Sequence, residues 1–292
     1  FFKEFGPLLF GRRPRSAVEK IRRLDSMEDL YGIFGDLLPE KLLYAAKKGA
    51  NSRVRSLPAE VTFWAFVSQA LSPRSSCREV VRKIEAWQRW QDLHSRGVTP
   101  SAYCQARRRL DLDTLLMIRR HLSLQMDRNV LEDEKWINKR TVKIVDGTGF
   151  SMPDTPENQA VWPQPSGQKP GCGFPVMKMV GLFSLSSGAL IEEATGDQHI
   201  HESRLFEQIW GRLEKGDVIL EDRGFNSYAA MATLAKRGID TVARLHQARK
   251  IDPLEGKRLG PGDQLVTWKN PQRNEGWSKE AWDALPDSLT LR

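Results

Sequence analysis

Two aspartates stand where their neighbours would let them do chemistry. Asp146 closes the apolar run Val142-Lys143-Ile144-Val145, and Asp222 closes Val218-Ile219-Leu220-Glu221. A strand that is apolar up to a terminal carboxylate carries that group to the rim of a sheet, where open α/β sheets bind their ligands. Carboxylate oxygens are the donors that hard divalent cations prefer, so neighbouring strands ending this way begin a site for Mg²⁺ or Mn²⁺. Other constellations weigh less. His199-Ile200-His201-Glu202 offers a His-x-His pair for zinc, but no third neutral ligand is near in sequence, and Glu202 reads as a first-turn helix acid. Cys77, Cys104 and Cys172 lack CxxC spacing, which argues against a zinc site or disulfide frame and fits a reducing cytoplasm. GxxxxGK[ST] and GxSxG do not occur, which removes the P-loop and serine-hydrolase readings and with them a nucleotide cofactor. Trp162 reads as packing under the 153–173 loop, and Glu193 and Asp197 as solvated edge groups.

The elements that must position these groups fall into two kinds. Residues 14 to about 135 read as helical. Leu57-Pro58-Ala59-Glu60 opens a helix with Pro early and an acid in the first turn, and Ser72-Pro73 closes it. Ser76 and Glu79 have capping-box spacing before a helix that turns Val80, Val81, Ile84 and Trp87 inward. A third helix begins near Thr99-Pro100 and carries Arg107, Arg108 and Arg109; a fourth runs through Leu112, Leu115, Leu116, Ile118 and Leu122. After the polar break Glu132-Asp133-Glu134-Lys135, strands are expected over 141–146, 176–185, 189–195, 218–222 and 239–245, with helices over 201–213 and 228–236. The order β-β-β-α-β-α-β describes a mixed sheet with helices packed on it, which is also the strand order of the ribonuclease-H fold. From about Lys250 the helical period gives way to Gly, Pro, Trp and charges, as in a loop-and-strand insertion.

The net charge of +8 is unevenly placed. Residues 1–140 hold 27 Lys and Arg against 17 Asp and Glu, a balance of +10, while 141–292 hold 18 against 20, a balance of −2. A basic helical half joined to a near-neutral half fits a polyanion-binding module on a catalytic one, and equally a helical bundle kept soluble by its arginines. No run of about 18 apolar residues occurs, so no membrane-spanning segment is expected, and Phe1-Phe2-Lys3-Glu4 does not read as a signal peptide. A chain that begins with Phe1 instead of Met is expected to lack the first residues of its natural product.

An ordered set of motifs then resembles a known family. Asp146-Gly147-Thr148, Asp154-Thr155-Pro156-Glu157-Asn158, Gly173-Phe174-Pro175 and Glu221-Asp222-Arg223-Gly224-Phe225, followed by Gly238 and Arg244, are similar to bacterial insertion-sequence transposases of the insertion element 4 group. So are Leu38-Pro39-Glu40 through Arg55-Ser56-Leu57-Pro58 to Glu79-Val80, and Ser101-Ala102-Tyr103-Cys104-Gln105-Ala106-Arg107. The likeness covers most of residues 30–245, and its two aspartates lie 76 residues apart.

The resemblance implies a DDE transposase. Its fold would be mixed α/β, with a helical DNA-binding domain over 1–135, the first part of a ribonuclease-H-like core over 136–249 and the start of a β-rich insertion over 250–292. Two aspartates and a glutamate would hold two divalent ions, Mg²⁺ or Mn²⁺, that stabilise the attacking and departing oxygens of a DNA phosphodiester. Asp146 would bridge the ions and Asp222 bind one. The family's glutamate lies in Tyr-x2-Arg-x3-Glu-x6-Lys, but Tyr228 is followed by Met231 where Arg is required, and Glu255, Glu275 and Glu280 lie in segments that do not match. The third ligand is therefore expected beyond Arg292, the chain ending inside the insertion. Double-stranded DNA would be the partner, contacted by Arg107, Arg108 and Arg109, chiefly at phosphates. Arg244 would be a further contact, and Arg223 is open between DNA and a sheet-end salt bridge. A homodimer in the cytoplasm is implied. Two rivals stay open: a truncated, catalytically inactive DNA-binding remnant or inhibitor, and a ribonuclease-H-like nuclease that cuts without joining.

Overall fold

The computed structural model describes residues 26–38, 43, 56–72, 75–91, 97–169, 171–245, 256–273 and 276–292. The helical expectation over 14–25, the motif residues Pro39, Glu40 and Arg55, the Pro73 stop and Lys250 lie outside them. The chain divides into two compact units, Phe1–Arg128 and Asn129–Arg292.

The described part of the first unit is built from α1 (Met27–Phe34), α2 (Ala59–Leu71), α3 (Cys77–Trp90), α4 (Pro100–Arg108) and α5 (Leu112–Arg128). Their starts are set by side chains that satisfy orphan N–H groups: Ser26 accepts from the Asp29 N–H, Ser76 from Glu79 and Thr99 from Ala102. Met27, Leu30, Val61, Trp64, Val80, Ile84, Tyr103 and Ile118 form the core between them. Helix α2 buries Val61, Thr62, Phe63, Trp64 and Ala65 in one run, while Leu71 is exposed. Its first two turns are enclosed all round, so helical periodicity alone could not find a single buried face.

In the second unit, five strands form a mixed sheet in the order β3-β2-β1-β4-β5: β1 (Val142–Ser151), β2 (Val176–Ser184), β3 (Leu190–Asp197), β4 (Val218–Glu221) and β5 (Asp240–Ala243). β1 pairs antiparallel with β2 and β2 with β3, whereas β1–β4 and β4–β5 are parallel. The parallel steps are bridged by helices, as such connections require. These are α7 (Glu202–Ile209) and α8 (Tyr228–Lys236). The long β1–β2 connection carries the short helix α6 (Pro156–Val161), opened by Thr155 as cap. Val145, Val180, Leu182, Leu205, Phe206, Ile219, Phe225 and Leu234 share one core.

Several boundaries differ from expectation. The helix expected over 201–213 is α only to Ile209 and finishes as one tighter turn, Trp210–Arg212. The strand expected over 239–245 is Asp240–Ala243, the reach of its pairing with β4. β1 runs on to Ser151 because β2 pairs with it as far as Ser151↔Val176. Beyond residue 255 lie a second sheet of β6 (Lys257–Gly260), β7 (Asp263–Lys269) and β8 (Ser288–Leu291), and helix α9 (Lys279–Asp283). The Tyr228 hydroxyl of α8 donates to the Pro286 carbonyl at 2.6 Å, tethering this segment to the core.

Candidate active site

β1 and β4 are parallel partners in the register Val142↔Val218, Lys143↔Ile219 and Ile144↔Leu220. Every pair is offset by 76 residues, the separation of Asp146 from Asp222, so extending the ladder by two residues sets the aspartates opposite one another. The β4–β5 register, with Glu221↔Ala243 as its last pair, extends in the same way to set Arg244 beside Asp222. Asp146 and Asp222 each lie two residues past the last β1–β4 pair, and Arg244 one residue past the last β4–β5 pair.

The two aspartates are held differently. Asp146 does not close its strand, contrary to the sequence expectation: it sits mid-way along β1, which β2 keeps extended on its other side. It reaches a rim only toward β4, whose ladder with β1 stops at Ile144↔Leu220. β1 is buried from Val142 through Val145, half-buried at Asp146 and Gly147, and exposed from Thr148. The Gly147 N–H donates to Asp146 Oδ1 at 2.9 Å, which orients the carboxylate along the strand. Asp222 directly follows β4 and is exposed. It opens a tight turn in which the Phe225 N–H donates to the Asp222 carbonyl at 3.0 Å. Phe225 then anchors the turn in the core, edge-on to Phe206 at 5.7 Å, and Ser227 caps α8. The second carboxylate is thereby fixed from both sides of its turn.

The last residue of β4 was not singled out from sequence. Glu221 is 6% exposed, and both carboxylate oxygens are buried without a hydrogen-bond partner. Burial pushes its carboxyl up to about 8, so it is a neutral acid at neutral pH. Beneath the site, buried Lys143 bonds Asp217 at 2.6 Å and the Arg212 carbonyl at 2.8 Å, tying β1 to the segment that leads into β4.

Of the other residues read from sequence, His201 accepts from the Ser203 N–H and caps α7, which accounts for one member of the His-x-His pair structurally. Arg223 is exposed within the Asp222 turn. Arg107, Arg108 and Arg109 belong to the first unit. Arg107 bonds Gln69 at 3.0 Å and lies 5.9 Å from the Tyr103 ring centroid; Arg108 is exposed and Arg109 half-buried. Burial raises the Tyr103 phenol to about 12 against the opposing pull of Arg107, so it stays protonated and donates to Gln69 at 2.8 Å. Among the described residues no group of three or more His, Cys, Asp or Glu side chains is drawn together around a cation site. Carboxylates such as Asp146 and Asp222 are nevertheless the donor chemistry of a hard divalent ion, and Asp222 is exposed.

Comparison with known proteins gives the class to which this mixed sheet belongs. The family described as "Transposase DDE domain" matches residues 137–281, and "Insertion element 4 transposase N-terminal" matches 32–118. The chain belongs to the insertion element 4 group of DDE transposases. It is 27% identical over 284 residues to the transposase InsG for insertion sequence element IS4 of Escherichia coli (strain K12), a match covering 94% of this chain and 61% of that protein. The chain thus spans about three fifths of the length of that curated relative. A likeness to the piggyBac transposase synaptic complex with hairpin DNA has a TM-score of 0.37 at 12% identity, covering 90% of this chain and 64% of that one. No helix among the described residues is long and apolar enough to cross a membrane.

Proposed function

We propose that this chain acts as a DNA transposase of the DDE class, binding the terminal inverted repeats of its element and cutting and rejoining DNA strands. The observation that supports the reading is the parallel pairing of β1, which carries Asp146, with β4, which Asp222 directly follows, inside a chain of this family. The strand order β3-β2-β1-β4-β5 supports a ribonuclease-H-like core, and the helices of the first unit support a DNA-binding domain ahead of it.

In this reading Asp146 and Asp222 hold divalent metal, Mg²⁺ or Mn²⁺. Bound ions supply activation of the attacking oxygen and stabilisation of the leaving oxygen. The protein's part is positional. The Gly147 N–H aims Asp146 and the Phe225-anchored turn fixes Asp222. Arg244, just past β5, would bind a DNA phosphate, and exposed Arg223 the backbone beside it. Arg107, Arg108 and Arg109 would hold duplex DNA through its phosphates, and two copies of the protein would bring two DNA ends together.

The test is metal-dependent nicking of a plasmid that carries the gene with its flanking DNA. Cleavage with Mg²⁺ or Mn²⁺ that disappears in Asp146→Asn and Asp222→Asn, with DNA binding retained, is expected. Cleavage that survives either substitution would sink the assignment. DNA binding without nicking would favour the inactive remnant or inhibitor, and nicking without joining the nuclease.

A further inference from the structure

We propose that Glu202, the first residue of α7, is a further metal-facing carboxylate of this site, acting across Gly147 from Asp146. The inference rests on the reading of Asp146 and Asp222 as metal ligands. It begins from a close approach. A Cβ built on Gly147 would lie 2.7 Å from the Glu202 carboxylate carbon and 2.8 and 2.9 Å from its two oxygens. The carboxylate therefore rests against the bare backbone of the residue that follows Asp146. Any other side chain at Gly147 would push it away.

This placement is built by the fold. His201 caps α7, and Leu205, Phe206 and Ile209 pack into the core that also contains Val145, on the face of β1 that Gly147 shares by strand alternation. Docking of the helix brings its first residue over the strand. A first-turn acid normally complements the helix dipole, which asks only that it lie near the N-terminus. Here the carboxylate takes neither a hydrogen bond nor an ion pair among the described residues. It lies beside strand backbone, which neutralises none of its charge.

The opening next to Gly147 is where an ion could reach it. The β1–β4 ladder ends at Ile144↔Leu220, so beyond that pair a gap opens between β1 and the segment after β4. Asp146 enters it from one face, with Oδ1 2.9 Å from the Gly147 nitrogen. Bond geometry then keeps the Asp146 and Glu202 oxygens within about 8 Å of each other, a separation that a pair of ions can bridge. A second, independent feature faces the same gap. Glu221 is buried with both oxygens lacking a partner, and alternation from Ile219 puts it on the Glu202 face, opposite Val145. This end of the sheet thus leaves Glu202 and the neutral acid Glu221 unpartnered on one face among the described residues, beside the two aspartates. Among the described residues no three acidic groups converge on one point, so binding would turn Glu202 inward by side-chain rotation while the strand and helix backbones stay in place.

The test measures binding of Mn²⁺ alone to the 292-residue chain, by loss of the free-ion electron paramagnetic signal, in wild type, Asp146→Asn, Glu202→Gln and Glu202→Asp. Glu202→Gln is expected to raise the Mn²⁺ dissociation constant on the order of tenfold, the scale on which single ligand-shell groups act, and Glu202→Asp by less. If Glu202→Gln does not fold, Glu202→Asp, which keeps the helix charge, carries the comparison. Wild-type affinity in the Glu202 variants beside weakened affinity in Asp146→Asn would overturn the role of Glu202 and leave the aspartate site standing. Equal affinity in wild type and Asp146→Asn would overturn both.

Discussion

Replacing Glu221 by glutamine tests the electrostatics of the sheet end without touching either aspartate. The buried carboxyl of Glu221 is raised from 4.5 to about 8 by desolvation alone. Each pKa unit corresponds to about 1.4 kcal/mol, so keeping this group in the folded state above its folded pKa costs up to about 5 kcal/mol. The sign follows from which state binds the proton more tightly. Between about pH 4.5 and about pH 8 the folded chain keeps a proton that the unfolded chain releases, so stability falls as pH rises through that window and levels off above it. Glu221→Gln keeps the shape and removes the titration. Urea unfolding at about pH 5.5 and about pH 8, followed by tryptophan fluorescence, should show wild type losing about 3 kcal/mol more than the variant between the two conditions. At about pH 8 the variant should be the more stable protein. Parallel pH profiles for the two would refute the argument, because they would mean that Glu221 is solvated or paired in the folded state.

Three further outcomes follow from the same contacts. Lys143→Met strands the buried carboxylate of Asp217, whose partner Nζ lies 2.6 Å away, and should cost about 3–5 kcal/mol in denaturant unfolding. The double substitution Lys143→Met with Asp217→Leu should recover most of that loss. Phe225→Ala removes the core anchor of the Asp222 turn and should cost about 3–5 kcal/mol, with Mn²⁺ affinity falling even at temperatures where the fold is intact. In DNA binding, Arg107→Ala should lower the slope of log affinity against log salt by about one, and an unchanged slope would remove Arg107 from the phosphate contacts.

Much of the local structure was legible in the sequence because short-range chemistry dictates it. Ser76 before Glu79 and Thr99 before Pro100 start helices through bonds made within one turn. Val218–Leu220 reads as a strand because its apolar residues are flanked by residues that open turns. Asp146 and Asp222 stood out for the same reason: an apolar run ended by a carboxylate is visible in a few residues. Boundaries were less legible, because β1 is extended to Ser151 by pairing with β2, a partner that begins 25 residues later.

What the sequence determined by itself was which side chains could do chemistry and the kind of element that carries each. Only the tertiary structure decided which of those elements become neighbours. The separation of 76 residues acquires meaning once β1 and β4 are parallel neighbours, because that offset is their register. Nothing local to Gly147 shows that α7 lays the Glu202 carboxylate against it, and nothing local to Glu221 shows that the core closes over it. Contacts of this kind join residues tens of positions apart, and their free energy comes from burial that no local pattern encodes.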